Sequence, residues 1–209
     1  MTTGRIAFGL LAIGFLIQLV AILWGGAVYP GYDHAHQYIS ELGATGAVTG
    51  PAVSWWGFVP SGVLIGAGCL IGAWLGRKSA LAIAVWLLLG WYGLTLAAAG
   101  VYPCAFECAR ADASFNALMH DLYGGTGYLA GIVGLALAVF VARKQGRPRL
   151  AILAAVCAVL AIAGFAGVIA EAQPGGLIQR VLEGSVDVFI LVFGWTLTRS
   201  RPAVAAVRP

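Results

Sequence analysis

Charge is scarce in this 209-residue chain, with 12 lysines and arginines and 8 aspartates and glutamates, so charged residues make up only 10%. A globular domain in water carries about 25%, and a chain of this size cannot hide so much apolar surface in one core. That excludes an ordinary soluble enzyme and a disordered regulator. Four cysteines do not make a secreted scaffold held together by bridges. Three chemical signatures are also missing: GxxxxGK[ST], GxSxG and HExxH, which removes the phosphate-cradling loop, the nucleophile elbow and the helical zinc protease. No histidine lies deep in an apolar run, so no pair is available to sandwich a haem.

What the chain does have is apolar length: 61% hydrophobic residues, 30 glycines and a mean hydropathy of +0.92. Crossing a bilayer takes roughly 20 apolar residues in a helix. Six such runs are present, at about 6–29, 53–76, 80–101, 120–142, 150–172 and 177–198. Tyr29-Pro30-Gly31, Arg77-Lys78, Tyr102-Pro103-Cys104, the run RKQGRPR (143–149) and Gln173-Pro174-Gly175-Gly176 separate them, and proline and paired glycines stop helices on steric grounds. The first run, about 18 residues from Ile6 to Leu23, exceeds the hydrophobic region of a signal peptide and reads as a retained helix. The expected fold is all-α: one polytopic domain over 1–209, with six transmembrane helices in a compact bundle. Glycines four apart, Gly62-x3-Gly66, Gly68-x3-Gly72-x3-Gly76 and Gly127-x3-Gly131, suit close helix packing.

Orientation follows from the basic residues. Arg5, Arg77, Lys78, Arg143, Lys144, Arg147, Arg149, Arg199, Arg201 and Arg208 fall on one side, and only Arg110 and Arg180 on the other. Both termini are therefore expected in the cytoplasm. The positive charge, +4 overall, is a topology signal and not a nucleic-acid patch. All eight acids (Asp33, Glu41, Glu107, Asp112, Asp121, Glu171, Glu183 and Asp187) and the three histidines lie toward the exoplasmic side. A site, if present, is expected to open there.

The sixth span carries the densest polar group. Gln179, Arg180, Glu183 and Asp187 follow at spacings of three and four, and the last three share a face. Asp187 lies about ten residues into the span, hence roughly 15 Å deep, where ionisable groups are expensive and turn toward the bundle interior. Gln18, Tyr92, Thr95 and Thr126 are polar partners at similar depth, and Glu171 ends the fifth span. The bland alternative is an Arg180–Glu183 pair with a neutral Asp187 hydrogen-bonded across the bundle. A second group is His34 and His36, which share a side if their loop is extended. With His120 and a carboxylate they could form a zinc site with an open position for water, or they could simply be solvated at the membrane surface. Cys104 and Cys108, one helical turn apart on the side where disulfides persist, are expected to be bonded. Cys69 and Cys157 read as packing residues.

The segments YISELGATGAVTGPAVSWWGFVPSG (38–62), AGVYPCAFECARADASFNALMHD (99–121) and GLIQR (176–180) resemble, in order and over nearly the whole chain, a bacterial and archaeal six-helix membrane family catalogued as domain of unknown function 998. The resemblance implies a six-helix fold and a bacterial inner-membrane location, and brings no catalytic residue with it. A looser similarity is to the membrane hydrolases related to alkaline ceramidases, which use a serine, carboxylates and three histidines around zinc. This chain has Ser40, three histidines and outer acids, but lacks that group's HxxxH pair on a late helix.

The leading functional expectation is an exoplasmic-facing pocket that binds a lipid or small amphiphile, with Glu171, Arg180, Glu183 and Asp187 lining it and His34, His36, Glu41, His120 and Asp121 at its mouth. In an enzymatic version His120 with Glu41 or Asp121 acts as general base on water, and Arg180 anchors a phosphate or carboxylate. The alternatives are a proton-coupled carrier titrating Glu171, Glu183 and Asp187, and a non-catalytic membrane assembly protein.

Overall fold

The computed structural model describes residues 2–109 and 111–199; Arg110, Arg201 and Arg208, counted in the orientation argument, lie outside them. Six helices long and apolar enough to cross a membrane run through the described residues: α1 (Thr3–Val28), α2 (Gly50–Leu75), α3 (Ala80–Val101), α4 (Phe115–Lys144), α5 (Pro148–Ile169) and α6 (Gly175–Thr198). Each packs on its neighbour in sequence, and α6 returns to pack on α1, which closes the ring. Residues 76–79 and 145–147 make tight turns at one end, here the turn end. The other end, the loop end, carries 29–49, 102–114 and 170–174.

Local chemistry sets the boundaries. The Ser79 and Ser114 side chains accept from Ala82 N and Ala117 N, both at 3.3 Å, and so cap α3 and α4. The Ser114 cap starts α4 at Phe115, five residues before the apolar run centred on it suggests. Pro148 fills the first turn of α5, where a missing N–H costs nothing. Pro60 does not break α2. Ahead of it the helix winds as a π-helix over Val53–Phe58, which accommodates the i−4 bond that proline cannot make.

Small residues bring the backbones together. A Cβ on Gly62 would meet the Gly93 carbonyl and Ala97 of α3, and one on Gly68 would meet Leu11 and the Ala7 carbonyl of α1. The spaced glycines of α2 thus serve two neighbours at once. Toward the turn end the interior is apolar, built around Leu11, Ile65, Trp86, Leu89, Leu135 and Phe189, with Trp86 stacked on Phe193 at 4.4 Å. Cys69 and Cys157 are buried there as free thiols. Polar groups occupy the loop-end half, so the fold itself separates a sealed half from an open one.

Candidate functional site

α6 supplies the centre of the polar half. Gln179 and Glu183, one turn apart and both buried, meet directly: Gln179 Nε2 donates to Glu183 Oε1 at 2.7 Å. Tyr128 of α4 donates to the same carboxylate oxygen at 2.7 Å and accepts from Gln179 Nε2 at 2.9 Å. One turn deeper, Tyr92 of α3 donates to Asp187 Oδ1 at 2.8 Å. The other end of the Gln179 amide accepts from Ile39 N at 2.7 Å, which ties the first loop to the network. This joins three helices and a loop through buried and half-buried groups, where each unmade bond would cost on the order of 1–3 kcal/mol.

Among the described residues, one buried side-chain polar atom is left without a partner. The Gln18 amide oxygen of α1 has no hydrogen bond, although the residue is only 4% exposed. It stands where two cavities meet. The inner one, about 60 Å³, is lined by Gln18, Tyr92, Tyr128, Gln179 and Glu183. The other is a groove of about 500 Å³ between α1 and α6, walled by Phe15, Leu19, Ile22, Leu23, Val188 and Leu191. Gln18, Glu183 and Asp187 lie along this groove, with Arg180 and His34 also on its wall. A third cavity, about 440 Å³, shares Ser40, His120, Tyr128 and Gln179 with the inner one and adds Asp121 and Cys108. Shared wall residues thus set a lateral apolar groove, an inner chamber and a mouth at the loop end side by side.

Arg180 is a strap. Its guanidinium donates to the carbonyls of Gln37 at 2.9 Å and Gly176 at 3.0 Å, to Tyr32 Oη at 2.8 Å, and lies 3.0 Å from His34 Nδ1. It forms no ion pair with Glu183 or any other described carboxylate, so the expected Arg180–Glu183 pair is replaced by bonds to the loop. Tyr32 in turn donates to the Tyr38 carbonyl at 2.8 Å; burial pushes its hydroxyl's pKa up, and the Arg180 bond partly offsets this. The loop also closes the start of α6, because Gly176 N donates to His36 O at 3.1 Å and Leu177 N to Ala35 O at 2.8 Å. These are orphan donors of a helix N-terminus.

The other expected site residues divide between chamber and framework. His120 and Asp121 share the mouth cavity, and His120 Nδ1 lies 3.1 Å from the Tyr102 carbonyl. Glu41 is not beside His120 in a bonded pair. Its two oxygens accept from Tyr38 N at 2.7 Å and Gln37 Nε2 at 2.9 Å, so it braces its own turn. His34 and His36 do not share a side. Asp33 accepts from Ala35 N at 2.7 Å and sits 2.8 Å from His36 Nδ1, which winds the segment into a turn. His34 then faces Arg180 while His36 faces Asp33, and the grouping of His34, His36 and His120 around one metal is not assembled. His36 and the Ala35 amide together hold the Asp33 carboxyl below its usual range. Glu171 is exposed at the end of α5 with φ at 52°, outside the walls of these three cavities. Thr126 bonds back to the Leu122 carbonyl at 2.8 Å. Tyr128 was not anticipated, though a tyrosine thirteen residues into α4 lies roughly 20 Å along it, too deep for an interfacial belt. Cys104 and Cys108 are joined by a disulfide.

A ring of six membrane-length helices, sealed at one end and polar at the other, defines a multi-pass membrane protein. The chain belongs to the family described as protein of unknown function (DUF998), whose model matches residues 12–196. Comparison with curated proteins and with solved structures gives no match.

Proposed function

We propose that this DUF998 protein binds an amphiphile drawn from the bilayer, its tail in the α1–α6 groove and its polar group at the groove's polar edge, where Gln18 and Glu183 border both groove and chamber and Asp187 lies on the groove wall. The observation that carries this reading is the unpartnered Gln18 oxygen at the junction of groove and chamber. A buried acceptor left unsatisfied is costly, and a ligand hydroxyl, amine or amide N–H would satisfy it. The groove's volume lies within the range of small-molecule sites, and its walls suit an acyl chain. Arg180, on the groove wall, provides the positive end expected for a phosphate-bearing headgroup. The chamber opens at the loop end, placed on the exoplasmic side by the basic-residue count, with both termini cytoplasmic in a bacterial inner membrane.

Hydrolysis or transfer is the enzymatic form of the same reading, with His120 as base and Asp121 beside it in the mouth cavity. A carrier is favoured less, because the acids lining these cavities sit in the loop-end half while the turn-end half packs Trp86, Phe189 and Phe193. The test is native mass spectrometry of the chain released from mild detergent after incubation with lysophosphatidylglycerol. One adduct per chain, lost in Gln18→Leu and in Asp187→Leu, is expected. Equal adduct retention in wild type and both variants contradicts the reading.

A further inference from the structure

The second loop holds a cluster whose two cysteines the amphiphile reading leaves unused, and in which His120 would be a metal ligand and not a base. Cys104, Cys108 and His120 each place a ligand atom within 4.8 Å of the other two. Glu107 and Cys108 adopt left-handed backbone, φ 54° and 48°, uncommon for residues with a side chain, and this folds Cys108 back beside Cys104. The loop is held from outside: Thr45 N donates to the Cys104 carbonyl at 2.9 Å, and Cys104 packs on Ala44 and Ala47. Ser40 Oγ lies 3.2 Å from Cys108 Sγ. His120 is oriented by the Tyr102 carbonyl. With Nδ1–H donating there, the ring's lone pair is left on Nε2, the arrangement that second-shell carbonyls impose on metal-binding histidines.

We infer that Cys104, Cys108 and His120 form a zinc site that the Cys104–Cys108 disulfide closes and that reduction opens. A tetrahedral zinc with sulfur at about 2.3 Å and nitrogen at about 2.0 Å sets its ligand atoms roughly 3.5–3.8 Å apart, within reach of the observed spacing. Two thiolates and a neutral imidazole cancel the charge of Zn²⁺, which suits a half-buried position, and this soft donor set selects zinc over magnesium or calcium. Opening the site needs a dithiol reductant. Two electrons and two protons pass to the Cys104–Cys108 bond, the S–S bond breaks to two thiols, and the donor closes to its own disulfide. On binding, each thiol loses its proton to water. Three protein ligands leave the fourth position free, and His120 and Cys108 both line the mouth cavity of about 440 Å³, so a water or substrate oxygen would occupy it. The proposal does not rest on amphiphile binding.

The experiment uses the full chain in detergent, without a polyhistidine tag, prepared either air-oxidised or reduced with a phosphine. Each is given equimolar Zn²⁺, freed of unbound metal by gel filtration and assayed by elemental mass spectrometry. About one zinc per reduced chain and close to none per oxidised chain is expected. Cys104→Ser and Cys108→Ser should hold no zinc after the reducing treatment, and His120→Ala should weaken it at least tenfold. Co²⁺ in the reduced chain should give a thiolate-to-cobalt charge-transfer band. Because the serine variants could disturb the loop, His120→Cys, which keeps three ligands, must still hold zinc. The double variant His34→Ala/His36→Ala must hold it too, which separates this site from the other histidines. Absence of zinc on reduced, normally eluting wild type, or equal zinc on the oxidised chain or on Cys108→Ser, overturns the inference.

Discussion

Replacing Gly176 with alanine tests how the site is held together. A Cβ there would run into the carbonyl oxygens of Gln37, His34 and Ala35, in the loop segment whose Ala35 and His36 carbonyls close the start of α6. Backbone cannot swing aside as a side-chain tip can, so the loop must lift. Lifting breaks the bonds from Gly176 N and Leu177 N to the loop, about 1 kcal/mol each, and strains the charge-assisted bond from Arg180 to Gln37, about 1.5–3 kcal/mol. A destabilisation of about 2–4 kcal/mol follows, or roughly 5–15 °C in Tm for a chain of this length. Gly184, two turns further along the same helix, has open space around its virtual Cβ. There alanine should be neutral or stabilise by up to about 1 kcal/mol through helix propensity. Thermal unfolding of both variants in one detergent, with hydrogen exchange at the Leu177 amide, reads the difference. If Gly176→Ala melts with wild type and keeps Leu177 protected, the loop is not seated on α6 as described.

Gln18→Leu removes the unpartnered oxygen, so the ligand-free variant should gain about 1–2 kcal/mol, seen as a higher Tm, while losing lysophosphatidylglycerol binding. Arg180→Met gives up the bonds to Gln37, Tyr32 and His34 and should cost about 2–4 kcal/mol, with Arg180→Lys recovering only part because a point charge cannot span those partners; denaturation midpoints of the pair decide it. Asp33 is a carboxyl whose value is lowered by folding from an ordinary value of 3.8. Its contribution to loop order is therefore complete above that value and lost as pH falls through the lowered one. Hydrogen exchange at the Ala35 amide, followed from about pH 5 to about pH 2, should show protection falling in wild type and a flat, weakly protected profile in Asp33→Asn.

The six helices are legible in the sequence because hydrocarbon thickness sets their length, and a run of apolar residues with Pro, Gly or basic ends leaves few other readings. The α6 polar group is legible in part: spacing puts Arg180, Glu183 and Asp187 on one face, whereas Arg180 turns to the loop and Gln179 bonds Glu183 in its place; depth points to Tyr92, which bonds Asp187, and to Gln18, which borders the same cavities. Tyr128 escapes, because depth along a helix is readable but the face turned toward a neighbour is not when every face is apolar. The first loop is the least legible part. Its shape depends on Asp33 capping Ala35, on Glu41 bracing Tyr38 and on Arg180 reaching across 143 positions to the Gln37 carbonyl. Those bonds separate His34 from His36 and leave Glu41 structural, whereas an extended HxH segment points both rings one way. The cysteine pair is legible from spacing, but its nearness to His120 is tertiary.

The central claim is that the α1–α6 groove takes up an amphiphile tail. The most direct measurement is photo-crosslinking in membranes with a clickable fatty acid carrying a diazirine in its chain, followed by peptide mapping. Labels should concentrate on residues 15–23 and 184–191 and fall in Gln18→Leu. Labels spread over the exposed lipid-facing residues of the bundle, Ile152, Val156 and Val159 of α5 as heavily as the groove, would contradict it.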